Sequence, residues 1–182
     1  FYELSRATSR RDRIALHPER YYSRLFELAA ELRAASIPGT PDLRLWVARC
    51  EGRALAAIVT LFRGRQAVYL YGASSDEKRN LMPAYALQWR AMRAAKAAGC
   101  DSYDLFGIPP TEDPSHPMAG LYRFKTGFGG EIVHRAGSWD YPLTSFAYAA
   151  FRTAERARAW WYKDVRKRIA GAKRLRGPSE GG

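Results

Sequence analysis

Residues 43–72 read LRLWVARCEGRALAAIVTLFRGRQAVYLYG, and this stretch decides the fold. Three segments rich in β-branched and aromatic residues, Leu43 to Cys50, Ala54 to Phe62 and Gln66 to Gly72, are punctuated by Glu51-Gly52 and by Arg63-Gly64-Arg65. Breaks of that length join neighbouring strands as hairpins, so the stretch predicts an antiparallel meander. Upstream, Asp12 to Ala35 reads as a helix, with Tyr22, Leu25, Leu28, Ala29 and Leu32 at three- and four-residue steps and the turn Ile37-Pro-Gly-Thr-Pro41 as its stop. Downstream, a helix is expected from about Asn80 to Ala98, ended by Gly99. Ser102 to Phe106 then reads as a strand parallel to an earlier one, as a helical crossover requires. After the loop IPPTEDPSHP, a short helix around Met118 to Lys125 leads through Gly127 to Gly130 into a last strand near Glu131 to His134.

From Ser145 onward the pattern is helical and long, with Phe146, Ala150, Ala154, Ala157, Trp161, Val165, Ile169 and Ala172 in one stripe and basic residues on the other faces, closed by Gly171 and then Gly177-Pro178. The net charge of +12 is concentrated there. Between Arg152 and Arg176 ten basic residues face only Glu155 and Asp164, a net +8, which leaves +4 for the rest of the chain. A field of that sign draws in polyanions, either nucleic acid or an acidic membrane face.

The 182 residues, 47% hydrophobic and 26% charged, suffice for one compact domain plus an appendage. No window approaches the roughly 20 consecutive apolar residues of a membrane-spanning helix, so a soluble chain is expected. The chain begins at Phe1, in FYELSRATSRRDRIAL, without a methionine or a small-residue cleavage site, and reads as a fragment and not as a signal peptide. Cys50 and Cys100 sit in apolar stretches without a CxxC partner, as buried thiols of a reducing compartment or as a disulfide pair. His17, His116 and His134 lie far apart, without metal-ligand spacing, so no metal site is expected.

The order of helix, three-strand meander, helix, strand, short helix and strand resembles the GNAT-like acyltransferase fold. That is an α+β (mixed α/β) class with a central mixed, largely antiparallel sheet flanked by helices, here followed by a long basic C-terminal helix. The expected division is 1–142 for the domain, 143–176 for the helix and 177–182 for a disordered tail. Members that use acetyl-CoA carry a glycine-rich turn whose amides cradle the pyrophosphate. The equivalent place here reads YGASSDEKRNLMP, so coenzyme A is not the expected donor and no cofactor is expected.

Four segments point to a particular branch: Tyr69-Leu-Tyr-Gly-Ala-Ser-Ser75, Pro83 to Trp89 (PAYALQW), Tyr103-Asp-Leu-Phe-Gly-Ile-Pro109 and Gly120 to Gly130 (GLYRFKTGFGG). In their order and spacing, from about Phe1 to Trp139, they resemble the second domain of the Fem family (FemABX-type) of peptidoglycan bridge-forming transferases. The resemblance implies an aminoacyltransferase that moves an amino acid from aminoacyl-tRNA onto the stem peptide of a cell-wall precursor. The acceptor would be UDP-MurNAc-pentapeptide or a lipid-linked muropeptide, and a further acyltransferase-like domain would precede this one in the same chain.

The resemblance assigns the paired Phe-Lys of the family to Phe124 and Lys125. Aminoacyl transfer passes through an oxyanion with the 3′ ribose hydroxyl of tRNA as leaving group. A lysine ammonium stabilises that charge, and a neighbouring aromatic face stacks a base. A solvated helix lysine beside a core phenylalanine is the plainer reading. Gly127 and Gly129, with Gly130, let the backbone turn sharply and approach a ligand. Tyr69 and Tyr71 alternate with Leu70 and are expected on one sheet face. The resemblance places them against the precursor; packing a core is the other reading. Arg79 reads as a phosphate ligand or as a charge at the start of a helix. Arg11 and Tyr22 fall where the family places an arginine and a tyrosine that hold the precursor's phosphates, or serve as surface residues. Asp104 reads either as a base or as a carboxylate that holds its loop by accepting backbone hydrogen bonds, and the structural role is the favoured one. No Ser-His-Asp or Cys-His arrangement is present to support a covalent acyl-enzyme, and no general base stands out.

The basic segment 152–176, with Trp160, Trp161 and Tyr162 interleaved, has three readings: tRNA backbone binding, peripheral contact with the anionic membrane face, or packing on its own domain. The expected location is cytoplasmic, at the inner face of the plasma membrane. Two rival readings keep the fold. One is a Fem-like protein of exopolysaccharide or cell-envelope metabolism without tRNA, and the other is a non-catalytic substrate-binding module.

Overall fold

The computed structural model describes residues 1–12, 14–109 and 111–161. The chain divides into two compact units, Phe1–Glu131 and Ile132–Gly182. In the first unit the meander forms as the sequence predicts: β1 (Asp42–Cys50), β2 (Arg53–Arg63) and β3 (Gln66–Ser74) pair antiparallel in sequence order. The helix α3 (Pro83–Ala97) then crosses over, and β4 (Ser102–Asp104) joins β3 in parallel through Gln66↔Ser102, Ala67↔Tyr103 and Val68↔Asp104. The result is a mixed four-stranded sheet flanked by helices.

The central strand β2 is buried on both faces, which is why its 55–60 segment runs Leu-Ala-Ala-Ile-Val-Thr without alternation. Ala56 and Ile58 pack under Leu87 and Ala91 of α3, and Phe62 and Ala67 pack under Ala95. Ala91 and Ala95, four residues apart and 0% and 2% exposed, let α3 lie close on the sheet. On the other face lie Leu55, Ala57 and Val59, the side on which helices α1 (Tyr2–Asp12) and α2 (Glu19–Ala35) pack. There α1 buries the polar pair Ser5 and Thr8. The Thr8 hydroxyl donates to the Ser74 carbonyl (3.1 Å) and accepts from the Ser74 N–H (2.9 Å), which fastens α1 to the end of β3.

Several elements differ from the sequence reading. The single helix expected over Asp12 to Ala35 is two helices, broken between Asp12 and Glu19. Pro18, extended at φ −63° and ψ 153°, has no N–H to donate, and its ring steers His17 away from helical geometry. The helix expected from Asn80 begins instead at Pro83, after a 3₁₀ turn at Arg79–Leu81 closed by Met82 at φ 50°. It stops as expected, with Gly99 in the left-handed region at φ 84°. β4 ends at Asp104 and not at Phe106, whose φ of 64° leaves the strand conformation. The Asp104 carboxylate accepts the Phe106 N–H at 2.7 Å and so holds that turn, the role read for it from the sequence. The last strand expected near Glu131 to His134 is absent: that stretch is coil, with no partner strand among the described residues, and Val133 is 68% exposed. An apolar run becomes a strand only where another strand completes its hydrogen bonds.

In the second unit, α5 (Ser145–Trp160) is the described part of the expected long helix; the rest of segment 143–176 and the tail 177–182 lie outside the described residues from 162 onward. No described helix is long and apolar enough to cross a membrane.

Candidate functional site

The short helix α4 (Ala119–Thr126) carries the Phe-Lys pair. Tyr85 of α3 meets Phe124 edge-on at 4.8 Å and Phe128 at 5.3 Å, and these rings lock α4 against the start of α3. Gly127 caps α4 in right-handed geometry, so its value is space: a Cβ there would stand 3.1 Å from the Arg123 carbonyl oxygen and 3.8 Å from Tyr85. The sharp turn comes at Gly129, with φ 72°.

This packing carries Lys125 inward. Lys125 is only 7% exposed, so it is not the solvated helix lysine of the plainer sequence reading. Its Nζ donates to the carbonyls of Leu105 and Gly107, each at 2.6 Å, and stands 5.5 Å from the Tyr69 ring centroid. Burial lowers its pKa below the ordinary lysine value, partly offset by the nearby Asp104 carboxylate. The loop after β4 thus wraps a buried ammonium.

Behind Lys125 lies a polar cluster. Gln88 of α3 is fully buried and accepts a 2.7 Å hydrogen bond from the Tyr103 hydroxyl of β4. Its amide nitrogen lacks a hydrogen-bond partner among the described residues, although proximity of Gln88 pulls the Tyr69 pKa down against the larger effect of burial. Burial dominates for Tyr69 and pushes it up to about 12. Burial likewise raises Tyr103. Neither Gln88 nor Tyr103 was singled out from the sequence as a site residue. The signal for Gln88 is a polar residue inside the alanine-lined face of a helix, three residues before Ala91 of the sheet contact.

Tyr71 is elsewhere. The register of β2 with β3 shifts between Val59, opposite Tyr71, and Thr60, opposite Tyr69, so Leu70 is the extra residue of a β-bulge. The two tyrosines, expected on one face, therefore lie on opposite faces. Tyr69 packs with Ile58 and Leu87 on the α3 side. Its hydroxyl fills the place a side chain would take at Gly72, where a Cβ would come within 1.7 Å of it. Tyr71 instead meets α2: its hydroxyl is 2.7 Å from that of Tyr21, and its ring is 5.4 Å from that of Tyr22. Burial, with the Tyr21 hydrogen bond, pushes its pKa up to about 12. Tyr22 is buried, with a pKa raised by burial, and His17 stacks on Tyr21 at 4.4 Å.

Arg11 is on this second face and is already engaged. Its guanidinium binds Asp12 (2.7 and 3.0 Å), Asp76 (3.0 Å) and the Ser74 carbonyl (3.1 Å), and these carboxylates raise its pKa. It serves as a tie between α1 and the end of β3. Arg79 is exposed in its 3₁₀ turn. The candidate residues therefore form two groups separated by the sheet: Phe124, Lys125 and Tyr69 on the α3 side, and Tyr22, Tyr71 and Arg11 on the α1 and α2 side. A groove of about 580 Å³ between α2 and β1, lined by Phe26, Ala30, Arg33 and Trp46, includes none of them. Cys50 and Cys100 are half-buried free thiols, and among the described residues no cluster of His, Cys, Asp and Glu fits a metal.

Known proteins resemble part of the chain. A protein named lipid II:glycine glycyltransferase from Staphylococcus saprophyticus is 36% identical over 98 residues, which cover 54% of this chain and 24% of the relative. The protein of the same name from Staphylococcus aureus strain USA300 is 34% identical over 98 residues, 54% of this chain and 23% of its own. The chain thus spans about a quarter of the length of these relatives. Among solved structures, a crystal structure of FemX shares 37% identity over 43% of this chain and 20% of its own, at a TM-score of 0.38. An acetyl transferase from Pyrococcus furiosus, itself of unproven activity, shares 19% identity over 72% of this chain and 83% of its own, at a TM-score of 0.43. The model of the FemAB family matches residues 48–156, from the end of β1 through α4 and into α5, which is more than half of the chain, and the chain belongs to that family.

Proposed function

We propose that this chain is the acyl-transfer domain of an aminoacyltransferase that moves an amino acid from aminoacyl-tRNA to the stem-peptide amine of a lipid-linked peptidoglycan precursor at the cytoplasmic face of the membrane. The observation that carries the reading is the buried Lys125 ammonium on the helix that the FemAB match covers. The names of the relatives, lipid II:glycine glycyltransferase, supply the acceptor and the class of reaction. In the transfer, the amine attacks the ester carbonyl, a tetrahedral oxyanion forms, and the C–O bond to the 3′ ribose oxygen breaks as the nitrogen gives up one proton and that oxygen takes one up. An ammonium held in place by two carbonyls needs no reorganisation as the oxyanion develops, and partial burial strengthens its field. Lysine has three N–H donors, so two carbonyl bonds leave one for a substrate. Phe124 stacks the terminal base on this side of the sheet, while Tyr71, Tyr22 and Arg79 serve the precursor.

A second reading has one observation in its favour. Two of the three Lys125 donors are committed to the Leu105 and Gly107 carbonyls, which suits a strut that shapes the loop without touching substrate. The test of the function is a reconstituted assay of the whole protein with each charged tRNA and both nucleotide-linked and lipid-linked precursors. Amino acid transfer to the lipid-linked form is expected. Binding of a precursor with indifference to every charged tRNA would replace this reading with a tRNA-independent envelope enzyme.

A further inference from the structure

The second unit contains a surface that the transfer reading leaves unused. Between Trp139 and Phe146, four large apolar side chains are almost wholly exposed: Trp139 at 85%, Tyr141 at 87%, Leu143 at 90% and Phe146 at 85%. Single exposed apolar residues are ordinary on a soluble surface; four within one short segment mark an interaction site. The helix that follows, α5, buries none of its residues. At about 100° per residue, Phe146, Ala150, Ala157 and Trp161 share one stripe of it, Arg156 and Arg158 fall on its two margins, and Glu155 lies opposite.

Several polar groups of this region are paired within it. The Trp139 indole N–H donates to the Ala136 carbonyl at 3.1 Å. Asp140, the acid amid the apolar residues, accepts from the Tyr148 hydroxyl at 2.7 Å and faces Arg152 at 3.9 Å, which latches the segment to the first turns of α5. The Thr153 hydroxyl donates to the Ala149 carbonyl at 2.8 Å. Pairing of the Trp139 indole and of Asp140 lowers the cost of taking these groups out of water. Exposed aromatic rings, two of them with a polar tip, flanked by arginines, match the boundary between lipid headgroups and acyl chains.

We propose that residues 139–146 together with α5 dock on an anionic lipid bilayer. Trp139, Tyr141, Leu143 and Phe146 seat at the acyl boundary, and Arg156 and Arg158 meet lipid phosphates. The basic sequence that follows, with its excess of cations through Arg176, adds charge complementarity of the same sign. Leu143, 90% exposed, has neither a ring to stack on a base nor a group to hold a phosphate, which favours lipid over RNA as the occupant. The proposal rests on the second unit alone, and vesicle binding is read without turnover, so it and the transfer reading can fail separately.

The test is co-sedimentation of the 182-residue chain with vesicles of phosphatidylglycerol and phosphatidylcholine in equal parts, against vesicles of pure phosphatidylcholine, with transfer RNA binding measured in parallel. Binding to the anionic vesicles is expected, and the triple variant Trp139→Ser, Tyr141→Ser, Leu143→Ser is expected to weaken it at least about tenfold. The double variant Arg156→Gln, Arg158→Gln is expected to narrow the preference for anionic lipid. Tryptophan quenching by brominated lipid in the parent, reduced in Trp139→Phe, checks insertion without relying on the triple variant. Equal vesicle binding by parent and triple variant, no vesicle binding at all, or a loss confined to transfer RNA would each overturn the proposal.

Discussion

Tyr69 and Tyr71 belong to one strand yet face opposite sides of the sheet, because Leu70 is the extra residue of a bulge that shifts the pairing from Val59–Tyr71 to Thr60–Tyr69. The bulge assigns Tyr69 to the Lys125 side and Tyr71 to the Tyr21 and Tyr22 side. Within the proposed function this gives the two hydroxyls separate duties. In the whole protein, Tyr71→Phe should raise the KM for the precursor about threefold to tenfold through loss of its hydroxyl pair. Tyr69→Phe should act on kcat. With no shared partner, the two effects should add to within about 0.5 kcal/mol in a double-mutant cycle. A coupling well above that value would mean that both tyrosines serve one cleft.

The same two tyrosines should titrate late. Both are pushed up to about 12, Tyr69 by burial and Tyr71 by burial and its Tyr21 hydrogen bond. A group whose folded pKa lies above its unfolded value stabilises the fold fully below the unfolded pKa, about 10 for tyrosine, and that contribution is lost as pH rises through the folded pKa. Stability should therefore fall between about pH 10 and pH 12. Absorbance of tyrosinate should show a late component that shrinks in Tyr69→Phe and again in Tyr71→Phe.

Gly72→Ala tests the seat of Tyr69. The new Cβ would come within 1.7 Å of the Tyr69 hydroxyl and 2.8 Å of the ring carbon bearing it. The ring must shift within a packed face, so a loss of about 1–3 kcal/mol in urea unfolding is expected. Adding Tyr69→Phe should restore only part of it, since the ring carbon remains too close. An unchanged unfolding midpoint in Gly72→Ala would show that the Tyr69 ring is not confined.

How far the sequence carried the fold depended on what each element needs. The meander was legible because Glu51-Gly52 and Arg63-Gly64-Arg65 separate runs whose composition already favours strands. The break before α2 was legible in principle at Pro18, but the apolar steps from Tyr22 onward invited a longer helix. The stretch Glu131 to His134 reads locally as a strand and is none, because pairing is a property of a neighbour that no local pattern records. The site shows the same limit. Tyr-Leu-Tyr looks like clean alternation, and only the register with β2 exposes the bulge. Lys125 was chosen by resemblance; its burial follows from the Tyr85, Phe124 and Phe128 rings, which come together only in the folded chain.

The most direct measurement is single-turnover transfer from charged tRNA by the whole protein carrying Lys125→Met, with thermal unfolding followed alongside. Methionine keeps the length of the side chain and leaves the Leu105 and Gly107 carbonyls without their donor, at a stability loss of about 1–3 kcal/mol. If the ammonium stabilises the oxyanion, the transfer rate should fall about 10²- to 10³-fold with little change in either KM. A folded variant that transfers at the parental rate, with only a raised KM or a lowered melting temperature, would contradict the account and leave Lys125 as a strut of the loop after β4.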